Sequence, residues 1–244
     1  MIKIPHKPED IFEPFTGDYR AAFGADLESI ILYGSAARNE YVPKVSDINF
    51  MIMLSPEGMQ RLAAAMPLVE KWGKARVATP LFLTQDYIFS SIDVFPIEFL
   101  NMKASYRLVW GKDVLKNLEF DKRLVRLQAE REIKAKLLHL RERFVETGGS
   151  AKKITQLISM SLPAFLSIFQ AVLFLNDQQP STKMSELLAH ASRSSGLNAS
   201  LFETLAAVRN KTRKLKPDES LSLMDSYLEE VHRLAMHIDS FIHR

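Results

Sequence analysis

Short apolar runs rich in β-branched residues mark the first hundred positions, and long amphipathic segments replace them afterwards. Ser29 to Tyr33, Ile48 to Leu54, Arg76 to Leu83 and Ile92 to Phe99 have the length and composition of buried strands. Between them, Met59, Leu62, Ala63, Met66 and Val69 recur at helical spacing within Glu57 to Trp72. Asp10 to Phe23 predicts an opening helix despite Pro14 and Gly17. Beyond Gly111 the strands stop. Helices are expected over about 121–146, 152–176, 182–195, 199–214 and 218–243, divided by Gly148-Gly149, Asn176 to Pro180, Ser195-Gly196 and Lys216-Pro217. In the last of them Leu221, Met224, Leu228, Val231, Leu234, Ile238 and Ile242 share one face, which predicts a core stripe. The fold class is therefore α+β: a mixed-sheet domain over residues 1–118 followed by an all-α up-and-down bundle over 119–244, the two expected to enclose a cleft.

Composition narrows this picture. Of 244 residues, 47% are hydrophobic and 25% charged, which excludes a disordered or low-complexity chain. The absence of cysteine excludes disulfides, thiolate metal sites and cysteine nucleophiles. Met1 to Asp10 lacks the apolar core of a secretory signal, so the expected location is cytoplasmic. The eighteen residues from Ile158 to Leu175 carry no charge, but their serines, Pro163 and Gln170 favour a buried bundle helix over a membrane span. The first 120 residues hold 13 Lys+Arg against 15 Asp+Glu, and the remainder 19 against 14. The basic excess thus lies in the helical half, where Arg209, Lys211, Arg213, Lys214 and Lys216 crowd together. A solvated helix end accounts for such a run more simply than a phosphate-binding face.

One stretch carries chemistry. The apolar run ending at Tyr33 passes into Gly34-Ser35, where a small turn with free backbone N–H groups suits an anion such as phosphate. On the following strand Ser46-Asp47-Ile48-Asn49 puts Asp47, Asn49 and Met51 on one face and Ile48, Phe50 and Ile52 on the other. A carboxylate beside a polyphosphate is the setting in which Mg²⁺ assists phosphoryl chemistry.

These residues resemble the nucleotidyltransferase superfamily related to DNA polymerase beta, which includes antibiotic nucleotidyltransferases and the minimal nucleotidyltransferases of bacteria. Gly34-Ser35 with Arg38 matches its Gly-Ser-x-x-Arg form, and Ser46-Asp47-Ile48-Asn49 matches Ser-Asp-Ile-Asp except at the last residue. The resemblance implies a site in which Gly34, Ser35, Arg38 and Ser46 bind the nucleotide. Asp47, Asn49 and a later carboxylate would hold Mg²⁺ or Mn²⁺. For that third carboxylate Glu98 is preferred, because a charge between Ile97 and Phe99 on an apolar strand needs a reason; Asp93 is its rival. The implied reaction moves a nucleoside monophosphate from a nucleoside triphosphate, ATP being the expected one, to a hydroxyl of a small molecule or protein, and pyrophosphate leaves. Asp47 and Glu98 would be its catalytic residues.

Asn49 departs from the pattern. A neutral amide replaces the second Asp, which predicts weaker cation binding and leaves a nucleotide-binding module without turnover as the alternative. Asn39 stands where relatives often have Gly, a mild change because Asn tolerates positive φ. The bundle is similar to the HEPN helical family, but Arg209-Asn210 is followed at the sixth position by Lys214 rather than His, so no ribonuclease activity is predicted. His232 and His237 are five apart and do not stack on one helical face, so no histidine metal site is expected. No membrane partner is expected, RNA-directed transfer is a disfavoured third reading, and a homodimer through an apolar bundle face stays open.

Overall fold

The structure, a computed structural model, describes residues 3–181 and 183–243. Thr182, at the head of one predicted helix, lies outside the described residues, as do the side chains of Ile242 and His243. The chain divides into two compact units. The first comprises Met1–Asp93 and Met102–Glu119, and the second Val94–Asn101 and Phe120–Arg244.

The first unit is built on a four-stranded mixed sheet of order β3-β2-β1-β4, with β1 Leu27–Tyr33, β2 Asn49–Leu54, β3 Leu81–Leu83 and β4 Tyr106–Gly111. β1 runs antiparallel to both β2 and β4, while β3 is parallel to β2. The central strands are apolar on both faces and buried over residues 30–32 and 50–54, as a continuous Ile/Leu/Met/Phe run requires. Helix α1, Phe12–Phe23, buries Phe15, Tyr19 and Phe23, which its four-residue spacing aligns on one stripe. Phe15 stacks on Phe50 of β2 at 4.2 Å and meets Trp72 edge-on at 5.3 Å. The Trp72 indole N–H is satisfied by Asp18 at 2.9 Å.

Several elements differ from the expectations. The predicted helix Glu57 to Trp72 is broken into α2 (Pro56–Gln60), a 3-10 turn over Leu62–Ala65, and α3 (Met66–Gly73), where Pro67 enters at the start of a new helix. The run from Arg76 yields only the short β3, preceded by a single parallel bridge between Ile48 and Val77. Ile92 to Phe99 is not a strand. Helix α4, Gln85–Ser91, precedes it, and helix α5, Pro96–Ala104, takes up its second half. The edge strand β4 follows, where no strand was expected.

The second unit holds α6 (Lys122–Glu146), α7 (Ala151–Leu175), α8 (Met184–Ser195), α9 (Ala199–Arg209) and α10 (Pro217–Asp239), close to the expected bundle. α6 and α9 start on side-chain caps, Asp121 accepting from Arg123 N at 2.7 Å and Asn198 from Leu201 N at 3.2 Å. α8 stops at Gly196, whose φ of 67° is the left-handed conformation of a helix end. α7 is the one helix among the described residues long and apolar enough to cross a membrane by length and composition. Here its apolar surface is the centre of the unit's core, with Leu162, Phe165, Ile168 and Phe169 packed among residues of the other bundle helices.

Candidate functional site

β1 delivers Tyr33 in an extended conformation, and the chain then turns sharply at Gly34, φ 77°, into a single 3-10 turn over Gly34–Ala36. The Gly34 carbonyl accepts from Ala37 N at 3.1 Å and Arg38 N at 3.2 Å, and the Ser35 carbonyl accepts from Glu40 N at 3.0 Å. The Ser35 hydroxyl has no protein partner among the described residues. Tyr33 pairs with Asn49 across β1 and β2. That register sets the Asn49 amide against the turn: a Cβ on Gly34 would lie 3.2 Å from Asn49 Nδ2. Both the left-handed φ and this close approach select glycine. Arg38 pairs with Glu40 at 3.0 Å. Asn39 adopts φ 60°, the conformation its side chain tolerates best after glycine.

Ser46 caps the loop before β2 by accepting from Val42 N at 3.0 Å. Asp47 follows, exposed, with Oδ1 2.8 Å from Arg76 Nη2. Arg76 reaches this place from the end of α3. Its carbonyl accepts from Ile48 N at 2.9 Å, its Nη2 donates to Val45 O at 2.9 Å, and its Nε donates to Ser46 O at 3.4 Å. Sequence reasoning missed Arg76, which lies nearly thirty residues away and belongs to no motif. The first unit thus brings together Gly34 and Asn49 through strand pairing, and Ser46, Asp47 and Arg76 through the loop before β2.

Glu98 is a correction to its predicted setting. It sits in the first turn of α5, not on a strand, and belongs to the second unit. Its carboxylate accepts from Gln128 Nε2 at 2.7 Å, and the same buried glutamine accepts from Ile97 N at 2.9 Å and donates to Glu132 at 2.7 Å. The charge between two apolar residues is accommodated on α5, where Ile97 and Phe99 are buried and Glu98 is exposed. Asp93 is exposed in the turn before α5.

The first unit does not by itself supply the three oxygen ligands the resemblance implies for a cation, because Glu98 belongs to the second unit. Among the described residues no three His, Asp or Glu side chains gather where one ion could hold them. Of the two motif positions expected to hold a cation before β2 and at its start, Asp47 is already engaged by a guanidinium and Asn49 is a neutral amide. Residues 34–47 are balanced in charge, Arg38 and Lys44 against Glu40 and Asp47, and Arg76 adds a positive charge beside Asp47. Burial raises the Tyr33 phenol above its ordinary pKa, so it stays a neutral hydroxyl beside the turn.

The basic run 209–216 is largely solvent-exposed at the end of α9, Arg213 lying 3.8 Å from Glu219, as a solvated helix end would be. His6, His139, His190 and His232 are exposed. Hollows of about 480 Å³ beside Gln178, Ser181, His190 and Arg193, and about 190 Å³ beside Lys136, Arg143, Met160 and Phe165, contain none of the predicted site residues.

No protein-family description matches the sequence, and no curated protein matches it. Among solved structures, that of spectinomycin adenyltransferase AAD(9) from Enterococcus faecialis, determined with ATP and spectinomycin, is similar at a TM-score of 0.53 and 10% identity, over 93% of this chain and 98% of that one. With its mixed sheet followed by a helical bundle, this chain shares the α+β fold of that structure.

Proposed function

We propose that this chain is a nucleotidyltransferase-type protein that seats the polyphosphate of a nucleoside triphosphate on the turn after β1 and transfers the nucleoside monophosphate to a hydroxyl of a small molecule. The observation that carries this reading is the Gly34-Ser35 turn, with its left-handed glycine against Asn49 and its unengaged Ser35 hydroxyl. ATP is the first candidate because the structurally similar adenyltransferase was determined with ATP. In the proposed reaction the acceptor oxygen attacks the α-phosphorus, the bond to the β-phosphate oxygen breaks, and pyrophosphate departs with the electron pair. The turn and Arg38 hold the terminal phosphates and their charge. Glu98 as acceptor of the hydroxyl proton rests on the family resemblance alone. Positioning and charge are sufficient for this chemistry, so no covalent nucleophile is needed.

A second reading, nucleotide binding without turnover, is favoured by Asn49 and by the engagement of Asp47 with Arg76. The test is incubation with each α-labelled nucleoside triphosphate and a panel of hydroxyl acceptors that includes spectinomycin, with pyrophosphate release and nucleotide binding measured separately. Release with a labelled acceptor supports transfer. Binding without release from any nucleotide supports the second reading, and absence of binding by the folded chain overturns both.

A further inference from the structure

Resting on the reading that the segment 34–47 seats a polyphosphate, we propose that Arg76 is a fixed anion-binding residue of that seat and that the nucleotide is taken up without a divalent cation. Arg76 is held in place at both ends of the residue. Its backbone, at φ 62°, donates to Gly73 O at 3.0 Å and accepts from Ile48 N, which ties it to the residue preceding β2. Its guanidinium lies along the loop 45–47 through Nε and Nη2, while Nη1 has no protein partner among the described residues. The side chain is half-exposed, at 36%, which leaves the guanidinium within reach of an incoming anion.

The charge arrangement opposes a cation at the same place. A Mg²⁺ ion needs carboxylate oxygens, and the only carboxylate of the matched Ser-Asp-Ile-Asn run is Asp47, 2.8 Å from a guanidinium that would repel the ion. Asn49 adds no charge. A planar guanidinium with a free edge instead matches phosphate oxygens directly. In this arrangement Asp47 is a positioning residue: it orients Arg76 and is not the holder of a metal.

The experiment is isothermal titration of the full chain with ATP, in excess EDTA and again with Mg²⁺, for the wild type, Arg76→Gln and Asp47→Asn, with thermal denaturation reporting whether each variant is folded. We expect wild-type affinities in the two buffers to agree within about threefold, and Arg76→Gln to weaken binding in EDTA by about tenfold or more. Asp47→Asn keeps a hydrogen-bond acceptor for Arg76 while removing the competing charge, so its affinity should equal or exceed that of the wild type, the opposite of what removing a metal ligand would do. Should Arg76→Gln fail to fold, the EDTA comparison and Asp47→Asn decide. Binding that requires Mg²⁺, or that is lost in Asp47→Asn, overturns the role of Arg76 and leaves the nucleotide reading standing. A folded wild type that binds ATP in neither buffer overturns the nucleotide reading itself.

Discussion

Gln128, only 5% exposed, donates its side-chain amide to Glu98 at 2.7 Å and accepts the Ile97 N–H at 2.9 Å, so one glutamine on α6 fixes the first turn of α5. Replacing it by Leu leaves the Ile97 N–H without its partner. The expected cost is about 1–3 kcal/mol of stability, measured by chemical denaturation. Gln128→Glu restores an acceptor but sets a third carboxylate beside Glu98 and Glu132. Its cost should be larger at neutral pH than at pH values where carboxylates are protonated.

Gly34→Ala meets two obstacles, the positive φ and the Asn49 amide at 3.2 Å. We expect a loss of about 1–2 kcal/mol and at least tenfold weaker nucleotide binding. Asn49→Ala in the same chain should recover only the steric part, because the backbone penalty is unaffected by the neighbour. A double-mutant cycle on stability and on ATP affinity separates the two.

How much of this was legible in the sequence depended on how far each determinant reached along the chain. β1 and β2 were readable because their buried runs are continuous and end at Gly34-Ser35 and before Ser55-Pro56, and the left-handed Asn39 was anticipated from its side chain. Glu98 was assigned to a strand because Ile92 to Phe99 is apolar. The contrary signal was Pro96, a residue suited to the first turn of a helix. α4 carried a similar mark in Thr84, which accepts from Tyr87 N at 3.1 Å. β4 was hidden because Arg107 and half-exposed aromatics break its apolar pattern, as befits an edge strand. Arg76 left no local signature at all: its importance comes from tertiary contacts with residues 45–48, which no periodicity encodes.

Gly111 closes β4 at φ 83°, and a Cβ there would stand 2.1 Å from the Glu28 carbonyl oxygen. Backbone, unlike a side-chain tip, has no alternative rotamer to move into. Gly111→Ala should therefore cost about 3 kcal/mol or force the edge strand to part from β1. Denaturation midpoints, with amide exchange at residues 106–111, would reveal either outcome.

Several carboxylates, Glu9, Asp26 and Glu130 among them, are lowered from their ordinary values in the folded chain. Glu9 is lowered first by its hydrogen bond from Arg107, Asp26 by those from Ser55 and Arg61, and Glu130 by those from Lys134 and Arg126. A depressed folded pKa means that the stabilisation is complete above the unfolded carboxylate range and disappears as pH falls through the folded values. The thermal midpoint should decline on that acid limb. Arg107→Gln should flatten the part belonging to Glu9, a comparison made by scanning both proteins across the same pH series.

The central placement of α7 has a consequence during synthesis. Sixty-four residues separate Leu175 from the end of α10 at Asp239, so the greasiest stretch of the chain leaves the ribosome well before the helices that enclose it. At roughly 5–20 residues per second the interval is about 3–13 s. During that window the nascent polypeptide offers chaperones and targeting factors a segment that the finished protein conceals, and chains stalled before α10 should be retained by such factors while completed ones are released.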